Sequence, residues 1–399
     1  MKQHFHAEIF RWGKINTMDS NKISSSNSEI SSRPSFMEVD LTRLTSNYKA
    51  IQNFVGDSTV MPIVKANAYG HGIVRVSQHL SSLGAKILGV AFVEEALVLR
   101  RAGLKIPILV LGGVLGEQIP LYLENDLIIT ASSIEKLEQI DQIAGKMDIK
   151  AKVHLKIDTG MERIGVHYYT AETLLEASLK VKNTFVEGIF SHFANADSAD
   201  LTNANLQLER FNGVLSFYEK RSLRTPLRHI ANSGAVLQLP ESQFDIVRPG
   251  ILMYGVYPSN EVIQSIKVKP VMSWKSKVVY FKVVKPGHPV SYGSIWQSEK
   301  MVRVVTIPVG YGDGYFRSMT EKAEVILDGK RYPVVGRICM DQFMVNIDWD
   351  SAYNNDEVIL VGESKKEKIT VEDLANWAGT IPYEILTNIN TRVPRVYKE

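Results

Sequence analysis

Cysteine is almost absent: among 399 residues only Cys339 occurs. That excludes an internal disulfide framework and points to a reducing compartment, the cytoplasm. No Cys-x-x-Cys pair and no His/Cys cluster is present, so no metal site is expected. Excess charge is missing too. The formal net charge is +3, and residues 1–35 hold five basic against three acidic side chains, leaving the remainder near neutral. A concentrated basic face for nucleic acid or an anionic membrane is therefore excluded. No apolar run is long enough to span a bilayer; Ile106–Leu111 has the length of a buried strand. Residues 1–35 carry Arg11-Trp-Gly-Lys14 and Ser24-Ser-Ser-Asn-Ser28 but no continuous apolar segment, so they read as a flexible extension and not as a secretory signal, with Met37 as an alternative start. No Gly-x-Gly-x-x-Gly turn follows the first strand candidate, which argues against a dinucleotide-binding open sheet.

What remains is the composition of a large globular protein, 45% hydrophobic and 22% charged, with two domains the default at this length. From residue 59 to 251, short β-branched runs alternate with amphipathic segments. Strands are expected at 60–64, 87–92, 107–111, 127–130, 153–157, 186–190, 227–231 and 244–247. Helices are expected at 93–101, 133–144, 171–181 and 205–220. Eight such units form an α/β fold, a (β/α)8 barrel of the TIM type. From Trp274 onward the period changes to two, as in Lys277–Val284 and Met301–Ile307, and Asp328-Gly329 joins two runs as a hairpin turn. A mostly antiparallel β domain is expected there, interrupted by one helix opened by Thr370 and Asp373 in capping-box spacing and running to Gly379. The expected divisions are 1–35, 36–268 and 269–399.

A barrel brings the C-terminal ends of its strands to one mouth, and the unusual polar residues fall at those ends. Lys65 closes the apolar run Val60-Met-Pro-Ile-Val64 and is followed by a glycine-bounded turn with Tyr69. Partial burial lowers a lysine's proton affinity and frees an amine for Schiff-base chemistry. Lys156 lies in the fifth strand, with Asp158-Thr-Gly-Met-Glu-Arg163 after it; His192 ends the sixth; Ser233 follows the seventh; Arg248-Pro-Gly250-Ile251 follow the eighth. Loops after the last two strands commonly hold phosphate, and Ser233, Gly250 and Ile251 suit that position. An amine facing a phosphate cradle points to pyridoxal 5′-phosphate. Arg248, unable to surrender its proton, would leave the pyridine nitrogen unprotonated and the cofactor a restrained electron sink, which favours racemisation.

Eight ordered segments, including Val64-Lys65-Ala-Asn-Ala-Tyr69-Gly-His-Gly72, Lys156–Arg163, Ser191-His192-Phe193, His229–Ser233, Ser291-Tyr292-Gly293, Gly310–Gly314 and Cys339-Met340-Asp341, resemble the signatures of the alanine racemases from Glu38 to Arg395. The resemblance implies a homodimer with shared sites that interconverts L- and D-alanine, supplying D-alanine for peptidoglycan. Lys65 would hold the cofactor and act as one base, and Tyr292 from the partner subunit as the other, with Arg163 and His192 as cationic neighbours that help the second base shed its proton. Tyr69, Ser233, Gly250, Ile251 and Tyr383 would hold the phosphate, and His229 would support Arg248 at the pyridine. Tyr311, Met340 and Asp341 would line the substrate entrance with Arg163, and Lys156 matches a position often carbamylated in the family. Glu162 and Phe316 depart from the usual pattern. A racemase of wider scope (serine or lysine), a non-catalytic pyridoxal-phosphate carrier and a decarboxylase are the competing readings; Tyr292 and the β domain count against the carrier, and Arg248 against the decarboxylase.

Overall fold

In the computed structural model residues 33–399 are described; residues 1–32 of the expected extension lie outside them. The chain does not begin in the barrel. Strand β1 (Phe36–Asp40) runs parallel to β21 (Arg395–Lys398) and antiparallel to β11 (Met272–Lys277), inside the sheet of the second domain. Its burial alternates with period two, the signature of that sheet and not of a barrel strand buried on both faces. Ser35 is likewise buried and accepts a 3.0 Å hydrogen bond from Trp274 Nε1, and Arg33 pairs with Asp313. The division expected at residue 36 thus falls inside a segment, residues 33–39, that bonds to the second domain.

All eight barrel strands are found: β2 (Thr59–Val60), β3 (Leu88–Val90), β4 (Ile108–Val110), β5 (Ile128–Ala131), β6 (Ala151–Asp158), β8 (Thr184–Phe190), β9 (Leu227–His229) and β10 (Ile246–Val247), with short β7 (Val166–His167) beside β6. The ladder from β3 to β9 is parallel throughout. It closes through β10, which pairs with β2. Asp245 N and Arg228 O, and Arg248 N and Ala231 O, join β10 to β9, while Gly89 N to Pro62 O and Val64 N to Gly89 O join the β2 segment to β3. Every residue of β3, β4 and β5 is buried, as a sheet wrapped in helices requires.

The four expected helices are found, preceded by others that were not among them. Leu41–Val55 buries Leu41, Leu44, Tyr48, Ile51 and Val55 and is capped by the Asp40 carboxylate, which accepts from Arg43 N. Val93–Arg101, Ile134–Met147, Ala171–Ser178 and Thr202–Lys220 follow.

In the second domain β12 (Tyr280–Val284), β15 (Val302–Ile307), β18 (Phe343–Asn346), β17 (Lys330–Val335), β16 (Glu324–Leu327), β19 (Glu357–Ser364), β11, β1 and β21 lie in that spatial order, with β20 (Glu367–Ile369) on β19. Asp328 and Gly329 both have positive φ, 48° and 74°, the geometry of a type I′ hairpin turn. A separate hairpin, β13 (Pro289–Val290) with β14 (Trp296–Gln297), frames Tyr292. The predicted capping box is formed: Thr370 Oγ1 accepts from Asp373 N and the Asp373 carboxylate from Thr370 N, and the helix Val371–Ala378 ends at a left-handed Gly379.

Candidate active site

Lys65 is followed by four residues, Ala66 to Tyr69, whose φ values lie between +51° and +56°. Non-glycine residues pay about 1–2 kcal/mol each for a left-handed turn, so the surroundings must hold it. They do so from three sides. The Glu95 carboxylate accepts from Ala66 N at 2.6 Å and from Ala91 N at 2.7 Å, tying the turn to the next βα loop. Asn67 Oδ1 accepts from Ile73 N. Gly70, at φ +81°, lies so close to Leu386 that a Cβ would stand 2.2 Å from its carbonyl oxygen.

This turn presents Lys65 and Tyr69 to one cavity of about 260 Å³, also lined by Lys156, Arg163, His192, Ser233, Arg248, Gly250, Ile251 and Tyr383. Ten candidates scattered over more than 300 residues therefore meet, and Tyr383 reaches them from the second domain. Burial, and then the nearby Arg163, lower the Lys65 amine from its ordinary range. Ser233 Oγ accepts from Gly250 N at 2.9 Å, and a Cβ on Gly250 would stand 2.3 Å from Tyr69 Oη. Glycine is required there so that a hydroxyl can approach. The Tyr69 and Tyr383 rings lie 6.1 Å apart, and with Ser233 they line the cavity that Lys65 also lines.

Arg248 is buried at the cavity floor. Its guanidinium donates to Ser191 O at 2.8 Å and Ile230 O at 3.1 Å, and meets His229 Nδ1 at 2.9 Å and His192 Nδ1 at 3.1 Å. Burial pushes Arg248 down to about 9, which still leaves it protonated at neutral pH. That cation adds to burial in setting the state of its neighbours. Burial first, and Arg248 next, hold His192 well below the usual imidazole range, so the cationic His192 expected from the sequence is corrected to a neutral ring that accepts from Arg248. Arg163 also lines the cavity. Lys156, also buried, lies 4.9 Å above the Phe190 ring and donates to Ile157 O; burial, followed by Arg248, brings its amine to about 7.

Tyr292, Tyr311, Met340 and Asp341 do not line this cavity. They lie exposed on the second domain, Tyr292 at 70%. Tyr311 N donates to Cys339 O and Gly312 N to Met340 O, stitching these two loops together. Arg392 fastens them by bonding both Asp341 and the buried Asp313. Ser291 Oγ donates to Arg337 O, which anchors the Tyr292 loop beside them. Of the two departures, Glu162 faces His167 Nδ1 at 3.6 Å and solvent, and Phe316 packs against the core.

Sequence reasoning missed four supporting residues. Glu95 reads as an ordinary helix N-terminal acid. Asp158 accepts from Gly160 N, Met161 N and Arg163 N and shapes the Arg163 loop. Gln207, fully buried, accepts from Ala194 N and donates to His192 O and Thr159 Oγ1. His154 was the legible one: a histidine inside the apolar run Val153–Ile157 needs a buried partner.

The family profile described as the alanine racemase N-terminal domain matches residues 39–258, and that of the alanine racemase C-terminal domain matches 271–397. An alanine racemase of Carboxydothermus hydrogenoformans is 42% identical over 367 residues, 92% of this chain and 100% of that protein; one from Methanococcus maripaludis is 40% identical, covering 92% and 99%. Among solved structures, alanine racemase of Clostridium difficile superposes with a TM-score of 0.86 at 36% identity, covering 92% and 96%. The Bacillus anthracis alanine racemase, solved with bound L-Ala-P, gives 0.86 at 35%, covering 92% and 95%. With both domains matched in order over nearly the whole described chain, the chain belongs to the alanine racemase family.

Proposed function

We propose that the chain is a pyridoxal-phosphate-dependent racemase that interconverts L- and D-alanine in the cytoplasm, supplying D-alanine for peptidoglycan, and that it works as a homodimer with shared sites. The observation that carries the reading is the cavity itself: a lowered amine on Lys65 faces the hydroxyls of Tyr69, Ser233 and Tyr383, above a buried Arg248. The donor set fits the cofactor. Lys65 would hold it, Tyr69, Ser233, Gly250, Ile251 and Tyr383 would take its phosphate, and Arg248, steadied by His229, would meet the pyridine nitrogen. When bound, pyridoxal phosphate supplies the electron sink that makes an amino acid's α-proton removable.

Inversion needs one group to remove that proton and another to return one to the opposite face. Lys65 Nζ is suited to the first face because burial favours its neutral form. Tyr292 Oη is assigned the opposite face. Since Tyr292 lies outside its own cavity, a second copy of the chain must bring it, along with Tyr311, Met340 and Asp341 at the entrance. Arg163, positioned by Asp158, stands at the mouth for the substrate carboxylate.

Purified protein supplied with pyridoxal phosphate is expected to convert L-alanine to D-alanine and to exchange its α-hydrogen in deuterium oxide. Absence of both would overturn the assignment. Pocket size discriminates weakly between amino acids that differ by a methylene or hydroxyl, so a panel including serine and lysine measures breadth.

Lys156 is assigned as a carbamyl-lysine that orients Arg163. Its neutral amine attacks carbon dioxide: the N–C bond forms as one C=O π bond breaks, its electron pair going to oxygen, and the nitrogen releases a proton to water. With the amine brought to about 7, occupancy should fall as pH drops through that value and the amine protonates. Protein equilibrated with ¹³C-bicarbonate should give a carbamate signal that Lys156→Gln abolishes; no signal at pH 8 sinks the idea.

A further inference from the structure

Behind Arg248 the polar contacts continue toward the surface. His229 receives Arg248 Nη1 at Nδ1, 2.9 Å away. Its other nitrogen, Nε2, lies 2.7 Å from His154 Nδ1, and His154 Nε2 lies 3.3 Å from Glu187 Oε2. Both rings are fully buried, while the Glu187 side chain is 29% exposed. The His229 ring is clamped flat against Phe190, with centroids 4.8 Å apart and planes 3° apart.

The two ends fix the direction of this chain. A guanidinium only donates, so His229 Nδ1 accepts and its proton sits on Nε2. That proton goes to His154 Nδ1, which leaves the His154 proton on Nε2. A carboxylate only accepts, so Glu187 Oε2 accepts the hydrogen bond from His154 Nε2–H.

The backbone is built around this contact. In the β6–β8 ladder Val153 pairs with Val186 but His154 pairs with Gly188, so Glu187 is the extra residue of a β-bulge. Bulges re-aim a side chain, often beside active sites. Gly188 then makes room for the ring, since a Cβ there would stand 2.5 Å from His154 Nδ1.

We propose that Glu187 is a positioning residue for Arg248: through His154 and His229 it holds the guanidinium as a one-way donor facing the cavity. The inference rests on the assignment of Arg248 to the pyridine nitrogen. Burial keeps His154 and His229 neutral, and the hydrogen bond from His154 lowers Glu187 below the usual carboxylate range. Neutral rings between a permanent donor and a permanent acceptor have a single compatible tautomer each.

The test is made on the cofactor-saturated protein with ¹⁵N-labelled histidine. In the parent, His154 and His229 should both be protonated at Nε2 only; a proton on Nδ1 of either, or on both nitrogens, overturns the inference without reference to activity. Glu187→Leu should broaden or shift these ¹⁵N signals and lower kcat about 10- to 100-fold, the usual loss when a group behind a working residue is removed, with little change in KM. Glu187→Gln keeps an acceptor oxygen and should restore the parental tautomers and kcat to within about threefold. A purely structural role predicts that Glu187→Leu lowers the melting temperature while tautomers and kcat stay parental, and that result overturns the proposal. Should the parent racemise nothing, the functional assignment fails separately, and the tautomers still decide whether the chain runs one way.

Discussion

Lys65→Ala is expected to lower alanine racemisation by about 10⁴-fold, the upper end of what one proton-transfer group contributes, and to lose tight cofactor retention as well. Two effects would fall on one side chain because both proposed roles, anchor and base, belong to its amine. Its address explains the size. Burial and Arg163 lower the amine, the left-handed turn held by Glu95 aims it, and no other amine in the cavity is so disposed: Lys156 is directed to Ile157 O and lies over Phe190. Racemisation within tenfold of the parent would place the first base elsewhere. Retained cofactor with lost turnover would separate the basic role from the anchoring one.

Tyr292→Phe is expected to cost about 10²- to 10⁴-fold in turnover while cofactor absorbance and melting temperature stay near parental. Removing one hydroxyl from a side chain 70% exposed should change folding stability by no more than about 0.5 kcal/mol, so a loss of activity cannot be blamed on unfolding. The two variants also test sharing. A heterodimer of Lys65→Ala with Tyr292→Phe would contain one site with both native residues and one with neither. Equal mixing after dissociation should recover about a quarter of the parental rate, since half the dimers are mixed and each has one intact site. No recovery, with heterodimers demonstrated, would mean that each chain completes its own site.

Much of this was legible before any coordinates. Barrel strands are buried on both faces, so Ile108-Leu-Val110 and Ile128-Ile-Thr-Ala131 read as short apolar runs wherever they occur. The Asp328-Gly329 turn and the Thr370/Asp373 cap are decided within four residues, and both formed as read. Lys65, Lys156, His192, Ser233 and Arg248 were identifiable because strand ends of a barrel converge whatever their separation in the chain.

Other features were out of reach for physical reasons. Phe36–Asp40 joins the second sheet through partners more than 200 residues away, and five alternating residues do not say which sheet they enter. Four left-handed residues after Lys65 contradict local preference and exist only because Glu95, Asn67 and Leu386 enclose them. His192 looks like a cation at a mouth until burial, and then Arg248 3.1 Å away, favour the neutral ring. The bulge at Glu187 is a register shift between two strands, invisible in either alone.

By itself, the sequence determined the order of the main strands and helices and the candidates at the strand ends, Lys65, Ser233 and Arg248 among them, since these depend on period, local turns and residue type. Only the tertiary structure decided protonation, aim and completeness. Burial and neighbouring charge lower Lys65 and His192, the distant Glu95 carboxylate holds the turn after Lys65, and Tyr292 lies exposed outside the cavity, which is why the proposed second base would have to come from another copy of the chain.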